Sequence, residues 1–246
     1  MDSPCEELRW DKPASRPGLA TSPWWKRALD VTLIVLSLPV VLPLTVLVAL
    51  LIRCVSAGPV LFKQERVGFK GARFMCFKFR TMVVGADKKV HEGHLGRLIE
   101  GGLPMQKMDL RGDPRLIRFG IWLRASGVDE IPQLLNVLRG DMSLVGPRPC
   151  LPFEHEKYLP WQQERFTTLP GLTGLWQVSG KNRTTFNQMV RMDIAYARNL
   201  AFWLDLKIIA LTIPALVGQM LETRRLRKSA ARPPSGPVVS AQQANR

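Results

Sequence analysis

Histidine and acidic residues are scarce in this sequence. Three histidines (His91, His94, His155) stand in 246 residues, and 20 Asp and Glu face 35 Lys and Arg. With so few histidines, Ser-His-Asp chemistry has little support. His91-Glu92-Gly93-His94 spaces its histidines three apart rather than four, so it is not the HExxH zinc motif, and its polar surroundings read as a solvated loop. No GxxxxGK[ST] and no GxGxxG is present, which removes the P-loop and dinucleotide-binding readings. The four cysteines (Cys5, Cys54, Cys76, Cys150) form no CxxC pair; that argues against a zinc module or disulfide scaffold and suits a reducing compartment. No internal repeat is visible, and composition excludes collagen-like, coiled-coil and multi-span membrane classes.

What is present is a net charge of +15 and 46% apolar residues, enough for a sizeable core. A balance that basic calls for a polyanionic partner: nucleic acid, anionic lipid or a phosphorylated substrate. The most informative local feature is Val31 to Ile52, twenty-two residues without a charge, which meets the length rule for a bilayer span. It begins too far in, and runs too long, for a signal peptide. Pro39 and Pro43 stand in its middle, where each removes a backbone donor and predicts a kink or break. Lys26 and Arg27 precede the run, and Arg53, Lys63, Arg66, Lys70 and Arg73 follow it, so charge shows no inside/outside asymmetry. Two readings fit these residues. One is a kinked span. The other is a hairpin that enters and leaves on one side, with Ser37 or Thr45 satisfying freed backbone groups. Trp24 and Trp25 suit the headgroup layer in either case. Ile208 to Leu221 is apolar for only fourteen positions and reads as an interfacial or buried helix.

Residues 1–22 read as a flexible tail and residues 222–246 as a second, basic one, which could attach to anionic membrane lipid through Arg224, Arg225, Arg227, Lys228 and Arg232. Between them, Val60–Phe62 and Phe74–Phe79 have strand character, and Ala86 to Lys107 reads as a long loop with some helix. Helices are expected over Leu116–Leu123, Ile131–Leu138 and Thr185–Leu200.

The candidate chemical centre is Asp129-Glu130 in Ser126-Gly127-Val128-Asp129-Glu130-Ile131-Pro132. Pro132 places a helix start near Asp129, with Asp129 as N-cap and Glu130 as the first helical residue. Such residues ordinarily do no more than cap a helix. The same geometry also binds phosphate and keeps a carboxylate ionised as nucleophile or Mg²⁺ ligand. Arginines nearby favour the second use: Arg124 five residues before, and Arg148 fixed between Pro147 and Pro149. Lys78 and Arg80 alternate with Phe77 and Phe79, which on a strand would point both cations one way and the rings the other.

At these residues the sequence resembles the bacterial sugar transferases, the monotopic polyprenyl-phosphate phosphoglycosyl transferases. The resemblance covers Lys26 to Met220. It rests on six ordered motifs: Lys26-Arg27-Ala28-Leu29-Asp30; Gly58-Pro59-Val60-Leu61-Phe62 with Gln64-Glu65-Arg66-Val67-Gly68; Lys78-Phe79-Arg80-Thr81-Met82; Val128 to Leu134; Leu138 to Pro149; and Pro170 to Gly180. The resemblance implies an α+β, mainly helical, monotopic membrane protein. A re-entrant helix-break-helix hairpin (23–57) would carry a cytosolic catalytic domain (58–221) on the cytoplasmic face of the bacterial inner membrane. It implies that Asp129 attacks a UDP-sugar, releasing UMP and leaving an aspartyl-phosphosugar that polyprenyl phosphate resolves, in the first membrane step of exopolysaccharide or O-antigen synthesis. Glu130 would hold Mg²⁺, with Arg124 and Arg148 as phosphate clamps and Gln177 and Asp193 shaping the pocket. UDP-glucose or UDP-galactose is the implied donor, and no nucleic acid is expected. Larger family members carry four further spans, and without them this chain resembles the minimal enzyme. It departs from the family at the hairpin: Leu42, not serine, precedes Pro43, Ser37 is displaced, and Pro39 adds a second breaker. The alternative from another class is a basic, membrane-tethered protein that binds nucleic acid or an acidic partner, with the Lys78/Arg80 strand stacking bases.

Overall fold

A computed structural model describes residues 22–85, 89–105, 113, 115–180 and 184–230. Helix α1 (Trp24–Val55) is followed by an antiparallel hairpin, β1 (Leu61–Val67) and β2 (Arg73–Phe79), paired from Leu61↔Phe79 to Val67↔Arg73. Then come α2 (Lys89–Glu100), α3 (Gly120–Ser126), a 3₁₀ helix (Val128–Gln133), α4 (Leu134–Arg139) and β3 (Ser143–Val145). Helix α5 (Pro152–Glu156) and a 3₁₀ helix (Pro160–Thr167) lead to β4 (Gly171–Thr173), which pairs in parallel with β3. Helices α6 (Leu175–Val178), α7 (Phe186–Arg198) and α8 (Phe202–Ala230) complete the described chain. The architecture is mainly helical with short strands, led by a long apolar helix.

Several element limits differ from expectation: the helix expected over Leu116–Leu123 runs over Gly120–Ser126, the one expected over Ile131–Leu138 divides into a 3₁₀ helix and α4, and the helix expected within 86–107 takes up Lys89–Glu100. The first strand is longer than Val60–Phe62, because Lys63, Gln64 and Glu65 interrupt the apolar pattern while the pairing with β2 continues through them. The segment 86–107 contains α2, and residues 222–230 continue α8 rather than forming a tail. The expected tails at 1–21 and 231–246 lie outside the described residues. Helix α7 starts as expected, at Thr185 as N-cap, because Thr185 and Gln188 form a reciprocal capping box there, and it ends at Arg198, short of Leu200.

Helix α1 runs through Pro39 and Pro43 without interruption. Each proline leaves a carbonyl one turn earlier without a donor, at Val35 and at Pro39. Ser37 and Thr45 do not serve those groups: their hydroxyls bond back to the carbonyls of Ile34 (2.8 Å) and Val41 (2.7 Å). Both halves of α1 pack on the same domain. Ile34 is buried with Val137 and Met142, against Leu134. Val48 and Ile52 are buried with Phe79 and Ile117, against Val128 and Ile131. Between them Leu36, Val40, Leu42 and Val46 are exposed. Fully burying one such aliphatic side chain is worth about 1.5–3 kcal/mol, so these contacts seat both ends of the helix.

Helix α8 is also long and apolar enough to cross a membrane by length and composition, where the sequence suggested only fourteen apolar positions. Its inner stripe is Asp205, Ile208, Thr212, Leu216, Gln219 and Thr223, at the three- and four-residue steps of one helix face. Trp203, Ile213, Val217 and Leu221 face outward and are exposed. Two contacts fasten the inner stripe. Lys26 Nζ donates to Asp205 Oδ2 (2.6 Å), Val145 O (2.8 Å) and Tyr196 Oη (2.9 Å), all buried. The Thr173 and Thr212 hydroxyls meet at 2.8 Å.

The motif glycines interlock β3 and β4. A Cβ on Gly146, Gly171 or Gly174 would run into backbone of the opposing segment, so the two motifs approach closer than any side chain allows. That close approach sets the backbone of Gly146 to Pro149 and with it the position of Arg148.

Candidate active site

Asp129 and Glu130 lie in the first turn of the 3₁₀ helix Val128–Gln133, not at an N-cap; Gly127, at φ 73°, holds that position. Only a left-handed turn lets α3 end and the next helix begin within one residue, which is the use of glycine there. Asp129 is buried (8% exposed), and Glu130 is partly exposed. Val128 and Ile131, on either side of the pair, pack over the second half of α1, so the acids sit directly above the apolar helix.

Strand β2 brings the cation. Lys78 Nζ lies 2.6 Å from Glu130 Oε1, with both side chains partly buried. Asn136 fixes this approach. Its Oδ1 accepts from Phe77 N (3.1 Å) and its Nδ2 donates to Met75 O (2.7 Å), so a side chain on α4 binds the edge of β2 as a third strand would. Phe77 and Phe79, the two rings that alternate with Lys78 and Arg80, are buried, so the face expected to stack bases is closed, which removes the best local feature of the nucleic-acid reading.

Arg80 belongs elsewhere. It follows β2, is buried, and donates to the carbonyls of Ala57 (2.6 Å) and Ser56 (2.8 Å) at the end of α1. The expected alternation with Lys78 ends with the strand, so its guanidinium holds the exit of α1 rather than a phosphate. Arg124 stands in the last turn of α3, and its charge reaches Asp113, which Arg115 grips through both carboxylate oxygens (2.8 and 2.6 Å).

Arg148 is forked onto Glu154, with Nη1 3.0 Å from Oε2 and Nη2 3.3 Å from Oε1. Glu154 is fully buried. Burial alone would raise its pKa; the Arg148 guanidinium more than offsets this, so the carboxyl lies below its ordinary value. Arg66 joins from β1, donating to Pro149 O (3.1 Å), and Arg165 joins from the 3₁₀ helix Pro160–Thr167, donating to Arg148 O (2.7 Å). Asp193 is fully buried on α7. It is buried against Arg165 (2.5 Å), and burial pushes its carboxyl up to about 6 despite that partner. Its route to the site runs through Arg165 to the backbone of Arg148. Gln177 is on α6, with its Oε1 buried against Gly174 and without a hydrogen-bond partner.

The Lys78–Glu130 and Arg66–Arg148 groups surround one strand. The buried Cys76 thiol on β2 is raised by burial and feels Lys78, Arg66, Glu130 and Arg148 together. Sequence reasoning nominated Asp129, Glu130, Lys78 and Arg148, and did not single out Arg66, Glu154, Arg165 and Asn136, which the structure joins to them. The Arg66 and Arg148 motifs were visible; their partners 83 and 6 residues away were not. Among the described residues no three His, Cys, Asp or Glu side chains cluster as a ready-made metal cage. Mg²⁺ does not need one, since it is bound through one or two carboxylates plus substrate phosphates, and Asp129 and Glu130 suit that mode.

Comparison with known proteins gives this constellation a family. The bacterial sugar transferase model matches residues 21–219. The UDP-glucose:undecaprenyl-phosphate glucose-1-phosphate transferase of Caulobacter vibrioides is 42% identical over 200 residues, covering 78% of this chain and 69% of that protein. The exopolysaccharide production protein ExoY of Sinorhizobium fredii is 38% identical over 191 residues, covering 78% of this chain and 84% of that protein. The galactosyl transferase CpsE of Streptococcus agalactiae is 38% identical over 193 residues, of which this chain spans 42% of the length. The match runs through α1, the acid pair, the Arg148 motif and most of α8, and the chain belongs to the bacterial sugar transferase family.

Proposed function

We propose that this protein transfers a sugar phosphate from a UDP-sugar, UDP-glucose or UDP-galactose, to undecaprenyl phosphate, in the first membrane step of exopolysaccharide or O-antigen synthesis. One observation carries the reading: a buried Asp129 and a Lys78-paired Glu130 seated on the apolar helix α1. Three relatives support the substrates: by name one uses UDP-glucose with undecaprenyl phosphate, one UDP-galactose with a lipid carrier, and one moves galactose onto undecaprenyl phosphate.

The chemistry is a double displacement. An Asp129 carboxylate oxygen attacks the β-phosphorus, the bond from that phosphorus to the bridging oxygen breaks, and UMP leaves with the electron pair. An oxygen of undecaprenyl phosphate then attacks the same phosphorus, and the aspartyl oxygen leaves as the original carboxylate. Burial of Asp129 excludes the water that would otherwise hydrolyse the intermediate. Lys78 holds Glu130 beside it, and Arg148, kept in place by Glu154, and Arg124 offer positive charge to the diphosphate. Glu130 would hold Mg²⁺, which when bound spreads charge on the transferring phosphoryl group.

The reading places α1 as a re-entrant helix on the cytoplasmic face of the inner membrane, unbroken at Pro39 and Pro43 where the sequence led us to expect a helix-break-helix hairpin. Ile34 and Val48 are both buried on the same domain, so only the interval between them can enter lipid. Fourteen residues of helix reach roughly 21 Å, short of a bilayer core of about 30 Å. The outward face of α8 would lie against the same leaflet.

Purified protein, Mg²⁺, undecaprenyl phosphate and a panel of nucleotide sugars test this by UMP release. The expected result is release with UDP-glucose or UDP-galactose and none from Asp129→Asn. Absence of release across the panel, or full activity in Asp129→Asn, would sink the reading.

A further inference from the structure

The C-terminal half of α8 touches the segment that carries the acid pair at three successive points. Leu216 lies against Gly127, its Cδ2 3.1 Å from where a Cβ would stand. Gln219 Nε2 donates to the carbonyls of Arg124 (3.0 Å) and Ala125 (3.2 Å). Arg224 and Arg227 both cover the Trp122 ring, each guanidinium carbon 5.6 Å from its centroid. Leu216, Gln219, Thr223 and Arg227 follow one helix face, and Thr223 is buried.

These contacts fall where α3 is weakest. The last carbonyls of a helix have no intrahelical donor, and α3 ends at Ser126 with Gly127 in the left-handed conformation. Glycine gives that turn its shape and little stiffness. Asp129 follows two residues later. A side-chain amide that donates to two of the last three carbonyls fixes the direction in which α3 hands the chain to Gly127, and so the placement of Arg124 on one side and Asp129 on the other. The arginine cover on Trp122 keeps the amide seated. Arg224 and Arg227 lie beyond residue 219, where the family match ends.

We propose that Gln219 is a positioning residue for the turn bearing Asp129, held in place by Arg224 and Arg227 on Trp122. The C-terminal basic cluster then has a task at the site besides any contact with lipid. The turnover readout rests on the function proposed above; the exchange readout does not.

The full chain in nanodiscs is followed by amide hydrogen exchange and by UMP release. Gln219→Leu keeps the bulk and removes the donor; Gln219→Lys restores a donor on a side chain of similar reach. Loss of the amide is expected to speed exchange over residues 126–131 by about fivefold. It should lower kcat by about tenfold, with KM within about twofold. Gln219→Lys should recover both, and Arg224→Ala with Arg227→Ala should move both in the same direction by less. Local exchange changes in a chain whose wild type releases no UMP would support the clamp and sink the transferase reading. Exchange over 126–131 equal to wild type in Gln219→Leu overturns the proposal. So does acceleration spread equally over α7 and β1, or failure of Gln219→Lys to recover what Gln219→Leu lost.

Discussion

Replacing Lys26 with methionine should destabilise the protein more than any single surface change. All three ammonium protons of Lys26 are used, on Asp205, Val145 and Tyr196, and the side chains of the ion pair are 1% exposed each. Methionine fills the space but leaves the Asp205 carboxylate buried with the Tyr196 hydroxyl at 2.6 Å as its remaining named partner. Stripping one member from a buried pair costs about 3–5 kcal/mol, because the other charge stays desolvated. The Arg198–Glu164 pair, at 2.5 Å, is as short but lies at the surface, where such a pair is worth at most about 1 kcal/mol. Thermal unfolding of the full chain in detergent, followed by tryptophan fluorescence, separates the two. A domain of this size loses about 2–4 °C per kcal/mol, so Lys26→Met should fall by roughly 6–20 °C and Glu164→Gln by only a few. The double variant Lys26→Met with Asp205→Leu should regain most of the loss, since no lone charge remains and the Tyr196 hydroxyl still has Val145 O at 3.2 Å. A Lys26→Met shift no larger than that of Glu164→Gln, or a double variant no better than the single, would refute the reasoning.

Three further outcomes are expected. Glu154 has a folded-state pKa below its ordinary 4.5, so the folded protein holds this proton less tightly than the unfolded chain; its stabilisation is complete above about 4.5 and is lost as pH falls through the lower folded value. Unfolding measured from pH 7 to pH 3 should therefore show Glu154→Gln less stable at pH 7 and flatter than wild type on the acid side. Arg80→Ala should lower stability by about 1.5–3 kcal/mol through the two lost carbonyl contacts at the end of α1, while KM for the nucleotide sugar stays within about twofold. Gly171→Ala puts a Cβ into the backbone of Gly146, and should cost about 3 kcal/mol or more, seen as lower yield and a lower unfolding midpoint.

The part of the site legible in the sequence was the part written in neighbouring residues. Asp129 and Glu130 are adjacent, and Lys78 stands in an alternating strand, so local pattern was enough to nominate all three. Their cap geometry was misread because Pro132 suits a 3₁₀ turn as well as a first α-turn, and Gly127 had already taken the capping position. Arg80 was misassigned for a similar reason: alternation predicts direction only while the strand lasts, and β2 ends at Phe79. Arg148 was found through its flanking prolines, but its controlling partners come from Glu154, Arg165 and Asp193, and only folding sets them in one buried ladder. The length of α8 escaped for a physical reason too. Asp205 and Lys207 bound the apolar run when charges are counted along the chain, yet Asp205 is neutralised by Lys26, 179 residues away, and the helix begins before both and runs on past Leu221 to Ala230.

The same pairing changes the meaning of the +15 charge. Counted along the chain, an excess of 15 cations suits any polyanion. In the folded protein several of the cations are not offered outward: Lys26 neutralises Asp205, Arg80 binds the end of α1, and Arg165 lies fully buried against Asp193. What distinguishes the site is a local imbalance. Arg66, Arg148 and Arg165 gather around the two carboxylates of Glu154 and Asp193, so this buried group carries more positive than negative charge beside the strand that presents Lys78 to Glu130. Inside a low-dielectric setting an unmatched cation is costly unless an anion comes to it. A diphosphate is such an anion, and a nucleic-acid backbone would need the charge on an open surface. The placement of the charge, more than its total, therefore suits the phosphorylated donor proposed above better than it suits a nucleic-acid backbone.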